Sequence, residues 1–384
     1  MGMRRIAVAA FVCLLPAAAD ARLAISGNDG KQLQAGEQIG VTPDSVSVID
    51  LNSYPPKVIG QVEVPAAMIG PPEAVAVSRD ESFAIVTAAQ KVNPADAMHP
   101  ADNDQVSVID LSRPARPRVL QTIAAGAAGV SGVTMNRAQT LVLVAAKMSD
   151  AIVVFRLAGK KLTLAGRVDL GKGAQPTDVV FAPDGRHAYA VAQGVSKIME
   201  LAIDGAQVTA TGADVVTGKA PYGASVTPDG NWLIDTNLAG APDSSDRTGV
   251  ISIMDLKTHK VAFSLAVGRT PEHVTLSPDG KYAAVVLANG AANVKSDPKY
   301  DAVTGILKII AVGPGTLAEV AHADSCHWAQ GATFSQDGKL VLQQCAAERQ
   351  ILVYRFDGNS LVQDKDAAMT FQSRPGAIAT GASR

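Results

Sequence analysis

The feature that most constrains this chain is a turn of the form Pro-Asp-Gly, set between two apolar strands and repeated along the sequence. Asp80 takes the turn in VAVSRDESFAIV, Arg137 in VTMNRAQTLVLV and Asp184 in VVFAPDGRHAYAV; Asp229, Asp279 and Asp337 do so in ASVTPDGNWLIDT, VTLSPDGKYAAVV and ATFSQDGKLVLQQ. Successive copies lie 57, 47, 45, 50 and 58 residues apart, which is the length of one four-stranded propeller blade with loops of variable size. A β-rich hexamer follows each hairpin: VSVIDL at Val106, IVVFRL at Ile152, SKIMEL at Ser196, ISIMDL at Ile251, LKIIAV at Leu307 and ILVYRF at Ile351. Outer strands at 58–64, 162–168 and 260–266 come after hexamers, and no stretch holds a sustained helical period.

Counting strands by type predicts how the ring closes. The segment 374–381, RPGAIATG, reads as an innermost strand with nothing after it, while RLAIS at Arg22 and VSVIDL at Val46 read as second and third strands with nothing before them. Together they make a seventh blade from one C-terminal and three N-terminal strands. Pairing the two ends removes the open sheet edges that an unclosed ring would expose. The expectation is an all-β, seven-bladed β-propeller over residues 22–384.

Residues 1–21 read as a secretion signal. Two arginines precede an apolar run at 6–15, and Ala19, Asp20 and Ala21 offer small residues around a cleavable bond. That run is too short to cross a bilayer, and Cys13 within it lacks the small residues that precede a lipidated cysteine. The expected location is the periplasm or outside the cell. The remaining chain carries 32 basic and 35 acidic residues, a net −3, and such a balance argues against affinity built on neutralised phosphates. Aromatic residues make up 4% of the chain, too few for a stacking groove, so nucleic acid is not the expected partner.

The pairing of Pro-Asp-Gly hairpins with VSVID strands resembles the YVTN-repeat β-propellers, related to lactonase-like and carboxymuconate cyclase-like propellers. The likeness spans the whole mature chain; because propellers host enzymes, binding modules and scaffolds, it speaks for fold more than for function. Within it, TPEHVTLSPDGKY is similar to a segment in which a histidine faces the channel, which implies that role for His273. The family's arginine falls on Glu272, its following glutamate near Ala288 and its second histidine on Thr177, so the proton-transfer relay is incomplete.

In a propeller the innermost strands line a channel, and the loops entering them share a face with the loops joining second and third strands. Four of the latter are long, at 27–42, 88–104, 239–249 and 289–305, and loops of that length in a compact fold point to function. The candidate ligand contacts are the residues that start the innermost strands: Glu73, Asp178, Tyr222, Glu272, His273, Trp328, Gln330 and Arg374. Loop oxygens of Asp96, Asp102, Asn103, Asp104, Asp243 and Asp246 are of the kind calcium takes, yet no EF-hand spacing is present, so turn-forming solvated polar residues are the expected reading and a calcium site the alternative. No cofactor is expected. His322, Cys326 and His327 lack metal-ligand spacing. Cys326 and Cys345 flank the hairpin at Asp337, on segments that run back antiparallel, so an oxidising compartment would join them. These readings predict a monomeric binding or scaffolding protein that meets a small molecule or an exported protein at the channel mouth, with a lactonase-like hydrolase or cyclase as the alternative.

Overall fold

The computed structural model describes residues 23–34, 40–96, 98–242, 248–292 and 294–381; residues 1–21, the expected signal, lie outside them. The described residues form seven four-stranded antiparallel sheets. Numbering the blades from the first complete one, the innermost strands are Val75–Val77, Val130–Met135, Pro176–Phe181, Pro221–Val226, Pro271–Leu276 and Ala329–Phe334. Blade 7 takes its innermost strand, Arg374–Thr380, from the C-terminal end and its other three, Leu23–Asp29, Ser45–Asp50 and Lys57–Glu63, from the N-terminal end. The predicted closure is therefore present, with Ile25 opposite Ala379 and Ser26 opposite Ile378.

Each hairpin is built by its own turn residues. In blade 5, Ser277 Oγ donates to Asp279 Oδ1 at 2.7 Å, the same oxygen accepts the Lys281 amide at 3.1 Å, and Gly280 adopts φ +70°, which costs glycine nothing. Blade 2 corrects the alignment of its turn by one residue. The Asn136 amide donates to Leu141 O and the Gln139 amide to Asn136 O, the bonds Ser277 and Gly280 make in blade 5. Ala138 thus stands in the Asp place, and Arg137, like Arg79 in blade 1, stands in the Pro place.

Branched side chains on the two faces of each sheet pack between blades, as Val142 and Val144 do with Ile85 and Val108, and Leu143 with Val179 and Ala190. The ring is thus a series of inter-blade cores. Cys326 and Cys345 form a disulfide, Cα–Cα 5.7 Å, between the entry to the innermost strand of blade 6 and the end of its second strand. The long loop of blade 1 is shorter than its sequence suggests, because its flanking strands continue to Lys91 and resume at Ala101. Asp96 there is engaged by His99 Nδ1 at 2.6 Å, and Asp104 by the Gly126 amide; Asp243 and Asp246 lie outside the described residues. Among the described residues no helix is long and apolar enough to cross a membrane.

Candidate functional site

The innermost strands enter the channel through one repeated device. Gln175, Ala220 and Thr270 hold left-handed φ of +46°, +52° and +55°, each followed by a proline that fixes the next φ. The register then shifts between Pro176 and Asp178, between Pro221 and Ala224, and between Pro271 and His273. Bulges of this kind re-aim side chains, and Thr177, Tyr222, Gly223 and Glu272 are the residues they leave out of the register.

The loop-face end of the channel is filled by the segment 66–73. A methyl group on Gly376 of blade 7 would lie 2.3 Å from Met68 Cβ, one on Gly70 would lie 2.8 Å from Ser131 Cβ of blade 2, and one on Gly331 of blade 6 would lie 2.8 Å from Pro72 Cβ. One on Gly223 of blade 4 would lie 2.8 Å from Glu73 Oε1. A segment that meets blades 7, 2, 6 and 4 at once crosses the channel axis. Glycine is required at Gly376 because any side chain would collide with Met68.

Below this segment Glu73 reaches across the channel to His273, with Nε2 to Oε1 at 3.2 Å and both side chains buried. The Ala332 amide donates to His273 Nδ1 at 2.9 Å. That nitrogen therefore carries no proton, and the ring is held as the neutral tautomer with its Nε2–H directed at the carboxylate. Both ring nitrogens are engaged, so His273 presents no lone pair to a substrate proton.

Glu272 sits beside this pair, and Gln330 Nε2 donates to its Oε2 at 3.2 Å. Burial pushes the Glu272 carboxyl up to about 7 against that hydrogen bond. Burial, then the charges of Glu272 and Glu73, pushes the Tyr222 phenol well above its usual range, while the Gly70 amide bonds its oxygen. Asp178 accepts the Ala224 amide at 3.1 Å and serves the joint between blades 3 and 4.

Five of the eight residues expected at a ligand site, Glu73, Tyr222, Glu272, His273 and Gln330, are thus drawn together into one polar cluster, with Glu73, His273 and Gln330 buried and Tyr222 and Glu272 partly exposed. Trp328 and Arg374 lie apart, at the joint of blades 6 and 7. The Arg374 guanidinium stands 5.6 Å over the Trp328 ring, and its Nε and Nη1 donate to Gln32 O and Ala346 O. Cys326 is consumed by its disulfide and His327 by Glu348 and Tyr300, while His322 pairs with Glu319.

At the opposite, hairpin end the channel opens into a cavity of about 250 Å³. It is lined at the Pro place of the turn by five successive blades, with Arg79, Arg137, Pro183, Pro228 and Pro278. Sequence reading missed this site. The signal was available, since arginine replaces proline in the first two turns, but which end of the channel stays open depends on the segment that fills the other.

No family model matches the chain, and no curated protein matches it. Solved structures do. A proposed 6-phosphogluconolactonase of Bacteroides uniformis ATCC 8492 superposes with a TM-score of 0.72 at 17% identity, covering 94% of this chain and 99% of that one. A second, from Bacteroides fragilis NCTC 9343, gives 0.70 at 17% identity over 95% and 99%. The dihydro-heme d1 dehydrogenase NirN gives 0.59 at 16% identity over 97% of this chain and 78% of that one. At such identities the likeness establishes the seven-bladed propeller and stops there.

Proposed function

We propose that this protein is an exported binding or scaffolding propeller that receives another exported protein on its loop face. The observation that carries the reading is where exposed apolar side chains lie. Val41, Ile69, Val92, Met98, Met148 and Val195 are all large, apolar and exposed, and all sit on the loop face, in blades 7, 1, 2 and 3 or on the segment that crosses the channel. These blades are consecutive, so the residues occupy one half of the face. Met148 is 61% exposed at the tip of a tight turn, where a polar residue would serve the fold equally well. Other exposed apolar side chains, such as Val119, Leu164, Phe263 and Val362, lie on the outer strands around the ring, whereas those of the loop face share one half of it, and apolar surface clustered in that way marks a protein contact.

Hydrolysis of a lactone at His273 is the rival, and the names of the Bacteroides structures together with Glu73 at 3.2 Å lend it weight. The engaged ring nitrogens and the segment over the neck weigh against it.

A photo-crosslinking residue placed at Met98 or Met148, in cells of the source organism, is expected to give a discrete protein adduct. The same residue at exposed Lys339 on the hairpin face is expected to give none. No adduct from either loop position, or equal adducts from Lys339, would overturn the reading.

A further inference from the structure

We propose that the hairpin-end cavity is a binding site for a small organic carboxylate, held by Arg79 and Arg137 with its apolar body against Phe181, Leu276 and Pro228. The site is on the face opposite the one proposed for the partner protein and does not depend on it.

Charge sets the ligand's head group. Arg79 and Arg137 are the two charged side chains in the lining, and among the described residues no Asp, Glu, Lys or His joins them. Among the described residues no carboxylate pairs with Arg79 or Arg137, whereas Arg118, Arg167 and Arg355 each have one, so the two at the cavity keep their guanidinium groups for an incoming anion. They come from equivalent turns in adjacent blades, where blades 3, 4 and 5 place proline and blade 6 places Gln336. A guanidinium offers a planar fork of donors that fits a carboxylate two bonds at a time.

The walls set the rest of the ligand. Met135, Phe181, Val226 and Leu276, equivalent residues at the ends of four innermost strands, are apolar. The polar groups between them are largely occupied: Ser225 Oγ donates to Val274 O, Ser277 Oγ to Asp279, and Asn136 Oδ1 accepts the Thr140 and Leu141 amides. A volume of about 250 Å³ falls just below the roughly 300–1,000 Å³ of drug-sized sites, so the body is that of one ring or a short chain. A hydrated inorganic anion would satisfy the arginines and leave the apolar walls unused. Among the described residues no nucleophile paired with a base lines the cavity, which suits capture rather than chemistry.

Benzoate and its neutral isostere benzamide test the proposal, with binding to the full mature chain followed by saturation-transfer NMR and titration calorimetry. Benzoate is expected to bind at least tenfold more tightly than benzamide, and Arg79→Gln combined with Arg137→Gln to weaken benzoate at least tenfold. Both arginines are exposed turn residues, so the double variant should melt with the parent, and its melting curve checks this. Phosphate is expected to compete weakly. The proposal is overturned if benzoate does not bind, if benzamide or phosphate binds as well, or if the folded double variant keeps full affinity.

Discussion

A histidine inside a channel is usually weighed as a catalyst, and at His273 the hydrogen bonds decide otherwise. Its Nδ1 accepts the Ala332 amide of the next blade and its Nε2 faces Glu73 from the far side of the channel, so one ring joins three blades. Replacing it withdraws an acceptor from a buried amide and a donor from a buried carboxylate, and losses of that kind cost about 2–5 kcal/mol. His273→Ala is therefore expected to lower the urea unfolding free energy by that amount. The parent chain, assayed with 6-phosphogluconolactone, is expected to match the buffer rate. A folded His273→Ala with unchanged stability, or parent turnover that the variant loses, would restore the catalytic reading.

The same reasoning applies one level up, to the strand that completes blade 7. Arg374–Thr380 pairs with Leu23–Asp29 along its length, Gln344 of blade 6 donates to Ala377 O at 2.9 Å, and Gly376 packs under Met68. Deleting residues 374–384 would bare the edge of blade 7 and uncover the channel segment, since an unpaired edge seeks another chain. The truncated protein is expected to lose its cooperative thermal transition and to aggregate, followed by circular dichroism and light scattering. Retention of the parent melting midpoint would show that the closing strand is dispensable. The disulfide in blade 6 cannot substitute, for it closes a hairpin local in sequence, with 19 residues of separation.

Across the whole molecule two sets of carboxylates respond to pH in opposite directions. Glu272 and Asp235 are pushed up to about 7 by burial; the turn residues Asp80, Asp184, Asp229, Asp279 and Asp337 are held below their usual value by serine, threonine, histidine or backbone donors that outweigh desolvation. A raised carboxyl binds more protons folded than unfolded between its unfolded value near 4 and its folded value near 7, so stability falls as pH rises through that window. The depressed turn carboxylates contribute stability above the unfolded value and lose it as pH falls below about 4. The melting temperature is expected to be a few degrees higher, about 2–5 °C, at pH 5 than at pH 8, and Asp235→Asn with Glu272→Gln to flatten that difference. A flat or inverted profile in the parent would refute it. The repeat period, the hairpin turns, the one-plus-three closure and the cysteine pair were legible in the sequence because each rests on local spacing or on counting strands. Glu73 and His273 could be listed from the sequence, but their meeting could not, since they lie 200 residues apart and touch only because opposite blades face one axis. Which end of the channel is filled and which is open was likewise decided by tertiary structure: residues 66–73 carry no motif that sets them apart from the other connections, and only the closed ring, with glycines at Gly223, Gly331 and Gly376 leaving room, lets that connection lie across the neck.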